Sequence, residues 1–238
     1  MLIITHRHTE QDLAKWEDYE AIDSINRWSP SKEAQSKRVM DGFLERNQKS
    51  CVMVSWGKDS VVLLHLFVTL GIQRPVVTMR VEHRYNPDCD EVRDAFLREF
   101  DIDYHEHEYP YEQVEKSERH WADLQRRYGA RCTGIRADES SIRRKQFETY
   151  GFSTKNSCRP LMRWNRREIF AYIHHNNLPL SPVYGYLGGG RWNRDRLRTH
   201  ALHSFADQAG SGLGRIEWER EYYQDVLNRT ERATMEEL

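Results

Sequence analysis

The stretch Cys51-Val52-Met53-Val54-Ser55-Trp56-Gly57-Lys58-Asp59-Ser60-Val61-Val62-Leu63-Leu64-His65-Leu66 decides the fold of this chain. Four apolar or β-prone residues lead into Ser55–Ser60, and a dense apolar run follows. This pattern predicts a buried strand, a tight turn and a buried helix. A helix that begins directly after a strand presents unpaired backbone N–H groups, and such groups bind anions, above all phosphates.

The side chains of this turn suit the same ligand. Lys58 adds a positive charge, Ser55 and Ser60 carry hydroxyl donors, and Gly57 permits a close backbone approach. The stretch is not a Walker A loop, because no glycine precedes Gly57 at the required spacing. The simpler alternative is an ordinary strand-to-helix turn with a solvated Lys-Asp pair.

The pattern along the rest of the chain predicts an α/β fold. After an N-terminal helical segment (1–48), strand-like and helix-like runs alternate through 49–187, which predicts a doubly wound, mostly parallel sheet with flanking helices. Residues 188–238 read as a flexible glycine loop followed by C-terminal helices, including a helix from Arg191 to Asp207. In such sheets, ligands lie at the carboxyl ends of the strands.

A second motif, Gly134-Ile135-Arg136-Ala137-Asp138-Glu139-Ser140, follows a predicted strand. Gly134 allows the backbone to turn, and Arg136 can form a bidentate contact with a phosphate or sulfate. Glu139 opens the next helix, where it complements the helix dipole or holds Arg136 in place. A capped helix with a surface ion pair is the alternative interpretation.

The order of motifs resembles one protein family. Ser55–Ser60 is similar to the PP-loop of the ATP pyrophosphatase superfamily, whose usual form is Ser-Gly-Gly-Lys-Asp-Ser, and Trp56 departs from it. The Gly134–Ser140 motif, then Arg159-Pro160-Leu161 with Trp164, then Leu178–Tyr184 (Leu-Pro-Leu-Ser-Pro-Val-Tyr) complete a resemblance to the PAPS reductase family. The resemblance implies an adenine nucleotide alpha hydrolase-like fold and an adenine nucleotide as ligand.

The resemblance also assigns roles to individual residues. The residues that it places at the nucleotide are Ser55, Trp56, Gly57, Lys58, Asp59, Ser60, Glu82, His83, Gly134 and Arg136. Among them, Lys58, Asp59 and Arg136 are the expected catalytic residues. Asp59 is also the candidate Mg²⁺ ligand, with capping of the helix as the alternative.

One departure from the family concerns its chemistry. Reductases of this family carry a catalytic cysteine near the C-terminus, but this chain has no cysteine after Cys158. We therefore expect the older reaction of the fold, in which ATP is cleaved to AMP and pyrophosphate and an acceptor is adenylated, with ATP and Mg²⁺ as cofactors. The alternatives are a sulfonucleotide reductase with an atypical nucleophile and a non-catalytic nucleotide-binding regulator.

Relatives use this step to prepare an oxygen for replacement by sulfur, as in DNA phosphorothioation, where the pyrophosphatase works with a cysteine desulfurase. Cys132 or Cys158 would then be a sulfur relay, with Arg159 lowering the thiol pKa of Cys158. The alternative is that both are buried, inert thiols. The acceptor is a nucleic acid in one version of this hypothesis, and Arg191–Arg198 would form a nucleotide lid, a nucleic-acid grip or a solvated helix face.

Composition restricts the class of protein only in part. The 36 Lys+Arg residues against 37 Asp+Glu leave a formal net charge of −1, so the global charge argues neither for nor against a nucleic-acid partner. No stretch of the sequence approaches the length of a transmembrane helix, and we expect a cytoplasmic protein without a signal peptide. The aromatic residues of 218–226 suggest a docking face for a partner or a second subunit, with packing onto the core as the simpler account.

Overall fold

The computed structural model describes residues 1–82, 84–109, 117–199, 202 and 215–236. Its helices are α1 (Glu10–Ile25), α2 (Pro30–Arg46), α3 (Lys58–Val68), α4 (Asp88–Glu99), α5 (Ser117–Tyr128), α6 (Ser141–Tyr150), α7 (Arg166–His175) and α8 (Arg215–Glu236). Its strands are β1 (Ser50–Val54), β2 (Val76–Val81), β3 (Tyr104–Tyr109), β4 (Ala130–Cys132) and β5 (Ser157–Cys158).

The five strands form one sheet in the order β3-β2-β1-β4-β5. Every ladder in it is parallel; Val52 of β1, for example, is paired with Val76 of β2 on one side and with Cys132 of β4 on the other. The predicted doubly wound parallel sheet is therefore confirmed. The strand order reverses between β1 and β4, and a crevice for ligands forms at such a switch point, beyond the carboxyl ends of the strands.

The opening stretch of the sequence lies at the centre of this sheet. All five residues of β1 are buried, and α3 buries almost its whole length, including Leu63 and Leu64. Central parallel strands are covered by helices on both faces, which explains why neither element shows an amphipathic pattern. The apolar run thus fixes the position at which the loop between β1 and α3 emerges.

The predicted helix from Arg191 to Asp207 is wrong over its described part. Residues 191–199 form turns and not a helix. In this stretch the backbone N–H of Asp195 donates to the Asn193 side chain at 2.8 Å, and such local bonds compete with helix formation. The rest of the predicted helix, apart from Leu202, and the glycines at 210, 212 and 214 lie outside the described residues.

The additions at both ends belong to the same hydrophobic core as the sheet. Met40 and Phe43 of α2 and Trp218 and Tyr223 of α8 are at most 1% exposed within that core. The suggested docking face on α8 is therefore wrong, because its aromatic residues pack inward. The division into 1–48, 49–187 and 188–238 stays a prediction. Among the described helices, none has the length and apolar character needed to cross a membrane.

Candidate nucleotide site

The loop between β1 and α3 is closed by its own hydroxyl groups. The backbone N–H of Ser55 donates to Ser60 Oγ at 3.2 Å, and the Ser60 hydroxyl donates to the Gly57 carbonyl at 2.9 Å. Ser60 is 6% exposed. Its hydroxyl therefore holds the turn in shape, while the first amides of α3 lie at the carboxyl edge of the sheet, as the sequence predicts for an anion-binding turn.

Trp56 has an unusual backbone conformation, with φ = 56°. This left-handed region suits glycine and is costly for other residues, which explains the glycine in the usual form of the loop. The Trp56 ring is fully buried, with its centroid 6.2 Å from that of Phe96 and 5.5 Å from that of Tyr104. The indole thus packs between α4 and β3 and stabilises a backbone that its own Cβ disfavours.

Four charged side chains meet where α3 begins. Lys58 Nζ lies 3.0 Å from Asp59 Oδ2, and Arg136 Nε lies 2.5 Å from Asp59 Oδ1. The Arg136 guanidinium also pairs with the Asp138 carboxylate. Lys58 is 1% exposed and Arg136 is 2% exposed. Two buried cations that the sequence places almost 80 residues apart therefore share one carboxylate at the switch point of the sheet.

Asp59 and Arg136 are stabilised in their charged forms. Burial alone would raise the pKa of Asp59, but Lys58 and Arg136 outweigh it and the pKa is lowered. Burial alone would lower the pKa of Arg136, but Asp59, Asp138 and Glu139 outweigh it and the pKa is raised. The network therefore carries two positive and two negative charges and is neutral as a whole.

Gly134 allows the two loops to approach each other. A Cβ at this position would lie 2.9 Å from the Asp59 carbonyl oxygen, closer than real side chains come. Glu139 holds Arg136 through its backbone, because its carboxylate accepts from the backbone N–H of Arg136 at 2.9 Å, and it also pairs with Arg143. The Arg136 guanidinium is held instead by Asp59 and Asp138.

The loop is covered by two residues that sequence reasoning missed. The hydroxyl of Tyr184 accepts from the backbone N–H of Lys58 at 3.1 Å, and the Thr199 hydroxyl donates to the Ser55 carbonyl at 3.2 Å. A Cβ on Gly57 would lie 2.8 Å from Thr199 Oγ1. Tyr184 ends the Leu-Pro-Leu-Ser-Pro-Val-Tyr motif, which was a signal for its importance but not for its contact with the loop.

The ammonium of Lys58 lies over aromatic rings. Its Nζ is 5.2 Å from the ring centroid of Tyr184 and 5.9 Å from that of Phe170. Cation–π attraction of this kind compensates in part for the loss of hydration around a buried charge. The amide and the ammonium of Lys58 thus both face Tyr184.

Glu82 and His83 are the remaining residues that were expected to lie at the nucleotide. Glu82 follows β2, and its backbone N–H donates to the Tyr109 carbonyl at 3.0 Å, which closes the end of the β2–β3 ladder. Its side chain is half-buried at the carboxyl edge of the sheet, on the side of β2. His83 lies outside the described residues.

Cys132 and Cys158 are register partners on neighbouring strands, and neither is exposed. The hydrogen bond with Cys158 and burial raise the pKa of the Cys132 thiol. Cys158 Sγ faces the Val39 carbonyl of α2 at 3.9 Å. These positions suit inert core thiols and give the predicted sulfur relay no support.

The arginine-rich segment 191–198 is anchored to the helices at both ends of the chain. Arg194 is 5% exposed and binds Asp23 of α1 through both carboxylate oxygens, at 2.6 and 2.7 Å. Arg191 pairs with Glu217 of α8 at 2.6 Å. The interpretation as a solvated helix face is wrong for Arg194, which is buried against α1, whereas the ion pair of Arg191 is exposed.

The donor set at the loop does not fit a resident Mg²⁺ ion. The described residues contain no group of three or more His, Cys, Asp or Glu side chains arranged to hold a metal. Both Asp59 oxygens are occupied by cations. Mg²⁺ prefers several oxygen ligands, so Asp59 in this arrangement holds Lys58 and Arg136 instead.

Three known proteins are similar to parts of this chain. In tRNA(Ile)-lysidine synthase from Wolbachia sp. subsp. Brugia malayi (strain TRS), 56 residues are 41% identical, which is 22% of this chain and only 13% of that protein. Phosphoadenylyl-sulfate (PAPS) reductase from Candida auris, solved as a phosphate complex, is 14% identical over 62% of this chain and 82% of that chain, with a TM-score of 0.45. Candida glabrata FMN adenylyltransferase, solved with FMN and the ATP analogue AMPCPP, is 17% identical over 75% and 69%, with a TM-score of 0.47.

A family model gives the stronger result. The model of the phosphoadenosine phosphosulfate reductase domain matches residues 49–187, which is more than half of the chain. The match spans the loop between β1 and α3, the Arg136 motif and Tyr184. The sequence motifs lie within this match, and the chain belongs to the phosphoadenosine phosphosulfate reductase domain family.

Proposed function

We propose that this chain is a PP-loop ATP pyrophosphatase, which cleaves ATP to AMP and pyrophosphate and adenylates an acceptor for sulfur chemistry such as DNA phosphorothioation. The proposal rests on Lys58 and Arg136, which both form ion pairs with Asp59 at the N-terminus of α3. Two cations and a set of helix amides at one point suit the phosphates of a nucleotide.

The proposed reaction uses these groups to neutralise charge. An acceptor oxygen attacks the α-phosphorus of ATP, the bond from this phosphorus to the oxygen bridging the β-phosphate breaks, and pyrophosphate leaves with the electron pair. Lys58 and Arg136 exchange part of their contact with Asp59 and Asp138 for phosphate oxygens. Fixed cations in a buried site stabilise the charge that develops during such a transfer. Any Mg²⁺ enters as the counter-ion of the ATP substrate.

Binding of ATP requires the site to open. The side chain of Lys58 is almost fully covered, and the Tyr184 hydroxyl occupies the amide that a phosphate would use. In the proposed mechanism, Tyr184 and Thr199 give up their contacts with the loop when the nucleotide binds. Closure over the phosphates then excludes water from the reacting centre.

The test is to incubate the protein with ATP and MgCl₂ and to measure AMP and pyrophosphate, with and without single-stranded DNA or RNA and a cysteine desulfurase. Formation of AMP and pyrophosphate is expected, whereas ADP and phosphate as the only products would contradict the proposal. Lys58→Ala should weaken ATP binding at least tenfold, as judged by calorimetry. Lys15→Ala, which removes a lysine whose ammonium pairs with Asp18 on α1, should leave it unchanged.

A second candidate is a non-catalytic nucleotide-binding regulator. The neutral, self-paired network of Lys58, Asp59, Arg136 and Asp138 favours it, because the free protein satisfies its own charges. A regulator would bind ATP without turnover under every partner condition. All four cysteines of the sequence are buried, which weighs against a sulfonucleotide reductase that uses a thiol. A desulfurase partner, a homodimer and a cytoplasmic location stay predictions.

A further inference from the structure

A cavity of about 340 Å³ lies away from the nucleotide site, between α2 and the segment that follows α6. It is close to the outer edge of the sheet, because α2 contacts β5 and Ser153 forms a bridge with Cys158. The residues of the lining that matter here are Arg38, Gly42, Arg46, Tyr150, Phe152 and Ser153. None of the motifs assigned to the nucleotide includes these residues.

One side of the cavity is formed by α2, which contains a glycine. Arg38, Gly42 and Arg46 are spaced four residues apart on α2 and therefore lie along one face of it. A glycine inside a helix destabilises it relative to alanine. At Gly42 an added Cβ would lie 3.3 Å from Arg46 Nη1. The missing side chain lets the Arg46 guanidinium lie close against the backbone of α2, at the edge of the cavity.

The guanidinium groups of Arg38 and Arg46 are available to a ligand. Arg38 and Arg46 are exposed, and within the part of the chain that the structure describes, no carboxylate forms an ion pair with either. In contrast, Arg136, Arg143 and Arg194 each bind at least one carboxylate. The cavity therefore concentrates uncompensated positive charge in a chain whose formal net charge is −1.

Aromatic rings line the opposite side. Tyr150 is 58% exposed at the end of α6. The Phe152 ring is held edge-on against Phe147, with centroids 5.1 Å apart, and the Arg163 guanidinium lies 5.5 Å from the Phe152 centroid. The exposed ring of Tyr150 and the ring of Phe152, which packs against Phe147, form a stacking surface beside the two guanidinium groups.

We propose that this cavity binds one nucleotide unit of a single-stranded nucleic acid. Guanidinium groups pair with backbone phosphates, and exposed aromatic rings stack on unpaired bases, which is the combination that single-strand-binding surfaces use. The volume suits one nucleotide and not a duplex. A phosphorylated peptide would use the arginines but would not need the exposed ring of Tyr150.

The cavity is connected to the nucleotide site by α6. This helix has 10 residues and begins after Ser140, in the same motif as Arg136. It is therefore about 15 Å long, which a few nucleotides of a single strand can span. Arg144 and Lys145 are exposed along it. That the bound strand is the acceptor rests on the proposed function, whereas the binding itself does not.

The test is the affinity of the full chain for a fluorescently labelled 20-nucleotide single strand, of DNA and of RNA, measured by anisotropy over a range of salt concentrations. The double variant Arg38→Ala/Arg46→Ala should bind at least ~10-fold more weakly and lose about 1.4 from the salt slope. Tyr150→Ala should bind at least ~5-fold more weakly, while Tyr150→Phe, which keeps the ring, should stay within about twofold of the unaltered chain.

The matched control is Arg98→Ala/Arg220→Ala, which removes the same charge from exposed positions elsewhere. Equal losses in the control and in Arg38→Ala/Arg46→Ala would overturn the proposal. A loss in Arg38→Ala/Arg46→Ala without one in Tyr150→Ala would also overturn it, and would indicate a general phosphate site such as one for a phosphopeptide. If no variant produces AMP while these binding differences hold, the proposed function fails and the nucleic-acid surface stands.

Discussion

Trp56 and Tyr184 show how single residues shape the nucleotide loop. Trp56 accepts a left-handed backbone because its indole fills the space between α4 and β3. Tyr184 places its hydroxyl on the amide at the start of α3, where the proposed function places a phosphate. The first residue stabilises the shape of the loop, and the second holds it closed.

Replacing Trp56 separates packing from backbone strain. Trp56→Ala and Trp56→Gly both remove the buried ring, and each should lower the free energy of unfolding by about 3–5 kcal/mol. Glycine also relieves the left-handed conformation, so Trp56→Gly should be the more stable variant by roughly 0.5–1 kcal/mol. Urea unfolding of both variants measures the difference. The usual order, with alanine more stable than glycine, would show that strain at this position is unimportant.

Replacing Tyr184 tests whether its hydroxyl only occupies the proposed phosphate position in the free protein or also binds the nucleotide. Tyr184→Phe leaves the Lys58 amide without its acceptor in the free protein, which should cost about 1–3 kcal/mol of stability. A bound phosphate would supply the missing acceptor, so the affinity for ATP should stay the same or rise severalfold. Thermal unfolding and calorimetry measure the two effects.

The control for this experiment is Tyr172→Phe. It removes a hydroxyl bonded to His65 Nδ1 at 2.9 Å, in a contact that includes no residue of the loop. Its stability should fall in the same way while its affinity for ATP stays unchanged. A clear loss of ATP affinity in Tyr184→Phe would mean that the hydroxyl binds the nucleotide instead of covering its place.

Among the elements, α1 is unusual in the side chains that it buries. It buries two carboxylates, Asp12 and Asp23, in addition to Trp16. Asp12 accepts from the backbone N–H groups of Leu187 and Gly188 at 2.8 and 2.6 Å, and Asp23 binds Arg194. The helix therefore works as an anchor for the chain around residues 187–194, through hydrogen bonds to charged groups.

The anchor at Asp12 should depend on pH. Burial alone would raise the pKa of Asp12, but hydrogen bonds from Thr9, Tyr222 and Leu187 outweigh it and the pKa is lowered. A lowered pKa means that the stabilisation is present above the ordinary aspartate pKa of about 3.9 and is lost as the pH falls through the lower folded value. At pH 7, Asp12→Asn should reduce the free energy of unfolding by about 1.5–3 kcal/mol.

Chemical denaturation at pH 7 and at several values below pH 4 measures this effect. The difference in the free energy of unfolding between Asp12→Asn and the unaltered chain should be smaller below pH 4 than at pH 7. Asp18→Asn, at an exposed position on the same helix, should change little at either pH. If this difference in the free energy of unfolding is constant with pH, the shape of the Asp12 side chain matters and its charge does not.

Taken as a whole, the molecule has a main hydrophobic core that its terminal helices complete. Tyr186 stacks on Tyr222 of α8, with centroids 4.6 Å apart and planes 11° from parallel. The hydroxyl of Tyr223 donates to Asp88 at 2.5 Å, at the start of α4. Burial raises the pKa of Asp88, so its carboxylate depends on such donors. The matched family region, 49–187, thus leaves apolar and polar groups that α8 covers.

A chain that ends at Leu187 should therefore not fold cooperatively. It would lack several buried aromatic side chains, each contributing about 3–5 kcal/mol, against a total stability of about 5–15 kcal/mol. Circular dichroism on heating should show no sharp transition. A chain that ends at Asn228 keeps Val226 and Leu227 in the core and should melt cooperatively. Cooperative melting of the shorter chain would mean that 49–187 is a self-sufficient domain.

How well the sequence predicts a feature of this structure depends on how far apart in the sequence the interacting residues are. The turn after β1 and the Arg136 motif depend on local patterns, and the parallel sheet follows from their alternation. Arg194 and Asp23 are 171 residues apart, and no local pattern links them. The cover formed by Tyr184 and the left-handed Trp56 depend likewise on tertiary packing. His83, which was predicted to lie near the nucleotide, is outside the described residues.

The position of α1 has a consequence for how the protein is made. Asp12 accepts from the hydroxyl of Tyr222, a residue 210 positions later in the chain. At translation speeds of about 5–20 residues per second, α1 leaves the ribosome roughly 10–40 s before this partner exists. During that time its buried carboxylates and Trp16 face water or a chaperone. The first helix to be synthesised is thus among the last to reach its final contacts, and completion of the core waits for α8.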